Sequence, residues 1–119
     1  MKIKKLRPFL LTDRLQETIV YYINVLGFTC DLQTETWAAL HLDNAEIMFT
    51  IPDGNFDKPT ITGSIYFDIE NIDEVWEEIK GKSNIHYAIE DTEWQKRQFA
   101  IYDNNGYMLE FGQDIKETE

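Results

Sequence analysis

The sequence predicts an α+β fold built from two similar βαβββ modules, and three observations carry that prediction. A strand–helix–strand–strand–strand order runs through the chain twice, with little identity between the copies. Each helix in that order closes at a glycine, Gly27 in the first copy and Gly81 in the second. Between the copies lies Pro52-Asp53-Gly54-Asn55-Phe56-Asp57-Lys58-Pro59, the clearest linker in the chain. Residues 1–119 therefore read as one domain, with module 1 over about 1–52, a linker over 52–60 and module 2 over about 61–114.

The elements follow in order. Residues 3–12 read as a strand, and Pro8 marks an edge or an end because proline cannot donate to a ladder. Asp13 is placed to cap a helix over 14–26, in which Leu15, Ile19, Tyr22, Ile23 and Leu26 recur at helical period. Residues 28–37 and 38–42 alternate as strands, and Asp43-Asn44 makes a turn. In the next strand, 46–51, Ile47, Phe49 and Ile51 face one way and Glu46, Met48 and Thr50 the other. The second copy opens with a strand over 64–69 that shows Ile65, Phe67 and Ile69 on one face. Glu70 or Asn71 then leads into a helix over 72–80, with Ile72, Val75, Trp76 and Ile79 on one stripe. Strands near 85–90, 96–102 and 107–112 complete it. Ile19, Ile23, Val75, Trp76 and Ile79 should pack the helices on their sheets, over Ile47, Phe49, Ile65 and Phe67. With a helix on one face only, each sheet leaves its other face to the second module, a second subunit or a ligand.

The chain is organised around its last strand pair, TEWQKRQFAIYDNNGYMLEFG, residues 92–112. Asn105-Gly106 at the turn supplies residues that tolerate a positive φ. On the outgoing strand Tyr107, Leu109 and Phe111 face one way, and Met108, Glu110 and Gly112 the other. Glu110 is thus a carboxylate among large apolar neighbours. It either meets a metal, a cation or a donor, or lies at an exposed edge, because an unpaired buried charge is costly.

Composition narrows the partners. The net charge is −11, from 22 acidic against 11 basic residues, which disfavours nucleic acid and anionic membranes. The same charge either concentrates a cationic ligand or serves solubility alone. Cys30 is the single cysteine, so there is no intrachain disulfide and no cysteine-rich metal site. The start, Met1-Lys2-Ile3-Lys4-Lys5, lacks the apolar segment of a signal peptide, and no run approaches the roughly 18 apolar residues of a membrane span. A cytoplasmic protein is expected.

The order βαβββ–βαβββ, with TIVYYINVLGF closing the first helix and FAIYDNNGYMLEFGQ ending the second module, resembles the vicinal oxygen chelate superfamily. That family includes glyoxalase I, extradiol dioxygenases, fosfomycin-resistance enzymes and bleomycin-resistance proteins. The resemblance covers nearly the whole chain and implies a mixed sheet curled around a cavity, commonly completed in a homodimer.

Metal-using members carry four ligands, one on each of four strands, usually His, Glu or Gln, His and Glu. Carried over, the last falls on Glu110, which is kept. The others fall on Ser64, on Met48 within AEIMFTIP, and on Arg7, or on Leu6 if a one-residue insertion is placed earlier. One carboxylate with Met, Ser and Arg does not hold a divalent transition metal against water, so no metal and no other cofactor is expected. An Arg7 that faced the cavity would neutralise Glu110. His41, in AALHLD, reads as a hydrogen-bonding neutral imidazole or as an alternative metal partner of Glu110, and His86 lies away from the expected ligand set.

The metal-free branch gives the better match. Its bleomycin-resistance proteins carry a Trp-x-x-Arg-like segment, then an aromatic and Asp-x-x-Gly. Trp94-Gln-Lys-Arg97-Gln-Phe99-Ala-Ile-Tyr-Asp103-Asn-Asn-Gly106 is similar, with one extra residue after the tryptophan. Strand parity puts Glu46, Thr50, Tyr66, Asp68 and Met108 on the face of Met48, Ser64 and Glu110. Trp37, Ala39 and His41 join them if Leu40 and Leu42 are core. The candidate ligand-binding set is therefore Trp37, His41, Met48, Tyr66, Trp94, Met108 and Glu110, a mostly apolar lining with a few polar fixtures. Three readings follow. The chain is a binder that sequesters an aromatic or cationic compound and confers antibiotic resistance, a lyase or dioxygenase with an atypical or absent metal site, or a dimer with a vestigial cavity.

Overall fold

A computed structural model of the protein describes residues 1–2, 4–52, 60–61 and 63–115. Ile3 of the first expected strand and residues 53–59 of the expected linker lie outside the described residues. The fold is α+β and runs β1 (Phe9–Leu11), α1 (Leu15–Asn24), β2 (Thr29–Gln33), β3 (Trp37–Leu42), β4 (Ala45–Thr50), β5 (Ser64–Asp68), α2 (Ile72–Ile79), β6 (Asn84–Asp91), β7 (Lys96–Tyr102) and β8 (Met108–Asp114). This is βαβββ twice. Instead of one continuous sheet, the strands form two sheets of four, ordered β1-β4-β3-β2 and β5-β8-β7-β6. In each, the first strand runs parallel to the last and the other neighbours are antiparallel. The chain divides between Thr60 and Ile61 into two compact units, each with one sheet and one helix.

In the first unit the helix presents Leu15, Thr18, Ile19 and Tyr22 to its sheet. Tyr22 is fully buried against Phe28 and Phe49, with ring centroids 5.4 and 5.0 Å away. Ala38, Leu40, Ile47 and Phe49 are fully or almost fully buried on the helix side. Ile23, expected in the core, is 39% exposed because Tyr22 takes the inward position of that turn. Gly27 closes the helix as expected, with φ 81°: its N–H donates to Ile23 O, the bond of an αL cap, and that of Phe28 to Tyr22 O. The other end departs from expectation. Asp13 does not cap; Thr12 Oγ1 accepts from Arg14 N at 3.1 Å, while the Asp13 carboxylate faces Arg14 Nε. The first strand is also shorter than 3–12, since ladder pairing starts only after Pro8, which has no N–H to give. Trp37 opens β3 and does not end the strand before it, because Thr34 Oγ1 accepts from Thr36 N and Trp37 N and turns the chain there.

In the second unit Phe67, Phe111 and Phe99 stack across three adjacent strands. Centroids lie 5.1 Å apart in both pairs, with interplanar angles of 17° and 21°, and Trp76 of the helix tilts onto Phe99. Ile72 and Ile79 are buried, Val75 and Trp76 half-buried. Asn71 starts the helix at φ 48° without a side-chain cap, and Gln113 Oε1 of β8 accepts from Ile72 N at 2.8 Å in its place. Gly81 does not mirror Gly27, for it stays outside the left-handed region. At the last hairpin only Gly106 has positive φ, 87°; Asn105 does not. Gly106 N bonds Asp103 O, and the buried Asp103 carboxylate accepts from Asn105 N and Tyr107 N, so a β-turn with glycine last makes a three-residue loop.

Candidate functional site

The helix-free face of the second sheet gathers the polar groups that the strand pattern scatters along the sequence. Register places Tyr66 beside Glu110, Glu110 beside Ala100, and Tyr87 beside Ala100 in turn. The small Ala100 leaves room for Glu110 and Tyr87 to meet above it. Glu110 Oε1 accepts from Ser64 Oγ and Oε2 from the Tyr87 hydroxyl, both at 2.5 Å. Gln98 Nε2 donates to the Tyr87 oxygen at 2.6 Å, and the Tyr66 hydroxyl donates to Gln98 Oε1 at 2.8 Å. A five-residue chain thus crosses all four strands. Gly112 makes it possible: a Cβ there would overlap the hydroxyl end of Tyr66. Beside it, Lys96 Nζ meets Asp68 at 2.6 Å and Asp114 at 2.9 Å and sits 5.9 Å from the Tyr66 ring centroid.

The helix-free face of the first sheet carries Trp37, Ala39, His41, Glu46, Met48 and Thr50 in one register. Leu40 is core as supposed, whereas Leu42 is 39% exposed at the strand end. Glu46 pairs with Lys5 Nζ and Arg7 Nε, each at 2.8 Å. Arg7, and not Leu6, therefore shares the face of Met48, and its charge is answered by Glu46. His41 Nδ1 lies 2.6 Å from Asp31 Oδ2, and His86 Nδ1 2.7 Å from the Tyr102 hydroxyl.

The electrostatics have clear causes. Burial first, then the hydrogen bond to Glu110 and its charge, push the Tyr87 phenol well above the ordinary value of 10.0. Burial also raises Tyr66, with the Lys96 ammonium pulling the other way. Hydrogen bonds to Asp68, then Asp114, raise Lys96. Tyr66 and Tyr87 are accordingly expected to stay protonated when the ordinary tyrosines ionise. Above pH of about 10 the unfolded chain releases phenol protons that the folded chain keeps, so this stabilisation is full below that pH and lost as pH rises through the folded values. Alkaline titration of phenolate absorbance checks it: Tyr87→Phe should remove one late-ionising tyrosine, and a late part of the curve left unchanged would contradict the assignment.

Of the residues singled out from the sequence, Ser64, Tyr66 and Glu110 come together in one network, with Met108 beside Ser64 in the ladder. Trp37, His41 and Met48 share the first sheet's face. Trp94 stands in the turn between β6 and β7, 65% exposed, and is not packed on its own sheet. The sequence reading missed Tyr87, Gln98 and Lys96. Gln98 and Lys96 were within reach, since they alternate with the apolar Phe99 and Ile101 on a strand expected over 96–102. Tyr87 was not. A bulge between Ile85 and Tyr87 breaks the alternation, pairing Ile85 with core-facing Ile101 and Tyr87 with Ala100 on the other face.

The carried-over metal positions do not fit a metal. Arg7 is held by Glu46, Ser64 donates its proton to Glu110, and both Glu110 oxygens already accept hydroxyls. Among the described residues no group of three or more His, Cys, Asp or Glu side chains is placed to hold an ion. Nor is any described helix long and apolar enough to cross a membrane.

Comparison with known proteins agrees with the geometry. A family model described as Glyoxalase/Bleomycin resistance protein/Dioxygenase superfamily matches residues 4–111. Bleomycin resistance proteins of Geobacillus stearothermophilus and Staphylococcus aureus are each 27% identical over 126 residues, covering 92% of this chain and 96% of theirs. A glyoxalase/bleomycin resistance protein/dioxygenase from Nocardioides superposes with a TM-score of 0.79 at 13% identity, over 100% of this chain and 88% of that one. The bleomycin resistance determinant encoded on the transposon Tn5 superposes with a TM-score of 0.76 at 20% identity, over 94% and 98%. These two likenesses speak for the fold.

Proposed function

This chain belongs to the glyoxalase/bleomycin resistance protein/dioxygenase superfamily, and on that premise we propose that it binds a small aromatic or cationic compound without transforming it. Membership of that family, with bleomycin resistance proteins as relatives over almost the full chain, supports a small-molecule-binding function. The proposal adds sequestration without a metal, in a cavity completed by a second copy of the chain, with resistance to such a compound as the outcome. One observation carries it. Glu110, the last metal-ligand position of the metal-using members, keeps its carboxylate but is bound into a network of hydroxyls and an amide. That arrangement suits holding a ligand better than polarising one. Tyr66 and the exposed Trp94 supply aromatic faces, and the charge of −11 draws in cations.

A thermal-shift screen against cationic glycopeptides, aromatic compounds and divalent metals tests the reading. Trp94→Ala is expected to weaken the hits by roughly tenfold, the worth of one stacking or cation–π contact. Glu110→Gln keeps shape and an acceptor, so it should weaken a cationic hit, in a salt-dependent way, and spare a neutral one. Hits that bind Trp94→Ala as tightly as wild type would overturn the aromatic reading, and a monomeric mass at micromolar concentration would overturn the shared cavity. The retained Glu110 also supports a second reading, a lyase or dioxygenase with an atypical metal site. Elemental analysis decides it: a stoichiometric metal that disappears in Glu110→Ala would establish that reading.

A further inference from the structure

We propose that the Glu110 face selects ligands that donate hydrogen bonds, and that Gln98 is the positioning residue that makes it do so. This deepens the binding reading above and rests on it. The argument is a count of protons. Glu110 as a carboxylate has none, so the two hydroxyls at 2.5 Å from its oxygens must each supply one, and Ser64 and Tyr87 have only one each. With the Tyr87 proton committed to Glu110, the contact of 2.6 Å between Tyr87 and Gln98 needs a proton from the amide. That fixes the amide, because the reverse orientation would set two proton-less oxygens against each other. Gln98 Oε1 then faces Tyr66 at 2.8 Å, and Tyr66 must donate inward too.

Every hydroxyl proton in the row is therefore turned inward, those of Ser64 and Tyr87 to Glu110 and that of Tyr66 to Gln98. What remains for a ligand is acceptor capacity, on the oxygens of Tyr66, Ser64 and Glu110. The second amide hydrogen of Gln98 stays with a side chain only 5% exposed. Lys96, the ammonium on this face, is already held by Asp68 and Asp114. The raised ionisation of Tyr66 and Tyr87 is consistent with hydroxyls that keep their protons. A flat ligand bearing N–H or O–H groups finds partners here, whereas one that offers only acceptors leaves buried lone pairs facing lone pairs. The chemical class is thus an aromatic hydrogen-bond donor, charged or neutral. Charge is the lesser requirement.

Indole and benzofuran test this, since they share shape and neutrality and differ in a ring N–H against a ring oxygen. Neutral probes respond alike to the protein's overall charge, so the comparison isolates hydrogen-bond direction. Titration followed on the Tyr66 side-chain resonances is expected to show indole bound roughly tenfold more tightly. Gln98→Met removes the acceptor that holds the Tyr66 proton and lets it turn outward, so the preference should fall to about parity. Tyr66→Phe keeps the ring and removes the outward acceptor, so it should lower the preference while both probes still bind. It stands in if the methionine variant does not fold, the titration then being followed on the phenyl ring at position 66. Equal affinities for the two probes in wild type, with Tyr66 resonances moved by both, would overturn the inference while leaving the binding reading intact. No movement by either probe would remove the binding reading from this face, and this inference with it.

Discussion

Phe99→Ala is expected to lower the unfolding free energy by about 3–5 kcal/mol, the usual loss for truncating a fully buried phenylalanine. Phe99 has no exposed surface and stands at the junction of the second unit's two layers. Its ring lies 5.1 Å from that of Phe111, which stacks in turn on Phe67, and 5.1 Å from the Trp76 ring of α2. Truncation removes the transfer free energy of the ring and two aromatic contacts worth about 0.5–1.5 kcal/mol each. The site cannot collapse easily to fill the gap. Phe99 and Phe111 face each other in an antiparallel ladder whose backbone spacing is fixed on both sides by further strands. Denaturant unfolding of the purified variant measures it, and a loss under about 1 kcal/mol would mean that the stack is not where the second unit gets its stability. Phe99→Leu, which retains part of the volume, should lose distinctly less.

The same strand shows what could be read from residues alone. Alternation along 107–112 put Leu109 and Phe111 on one face and Glu110 and Met108 on the other, and the ladder has them so, with Phe99 and Ile101 opposite Phe111 and Leu109. Periodicity also found both helices to within two residues at either end, and the repeated order gave the two βαβββ units. Some of the misses lie where the backbone departs from a regular period. Ladder bulges at Asp31 and His86 shift register by one residue, and period-two reasoning then assigns the wrong face. One of these brings Asp31 to His41, the other Tyr87 to Glu110. Capping was illegible for a different reason. Gln113 reaches the start of α2 from 41 residues away, and no local pattern encodes so distant a partner. The carboxylate at the centre of the site was legible, but its donors on two other strands were only half so. Ser64 and Tyr66 came from parity; Tyr87 needed the structure.

Tyr87→Phe is expected to cost about 1–3 kcal/mol, although it removes a single oxygen and leaves the ring in place. The loss comes from what the oxygen leaves behind. Gln98 is buried, and its Nε2 then points at carbon where it had an acceptor at 2.6 Å. Glu110 Oε2 loses a donor at 2.5 Å, and hydrogen bonds to a charged group are worth more than neutral ones. Water can reach the half-buried Glu110 and answer part of its loss, but not the enclosed amide, so the orphaned Gln98 should account for most of the cost. A double-mutant cycle separates the two. In a Gln98→Met background there is no amide to strand, and Tyr87→Phe should then cost clearly less than it does alone, with a coupling of at least about 0.5 kcal/mol. Additive losses would mean that Tyr87 and Gln98 act separately, and the chain of donors from Tyr66 to Glu110 would have to be abandoned as a unit. A coupled result would give Glu110 its structural meaning: a charge kept on a strand because four neighbouring side chains are oriented by it.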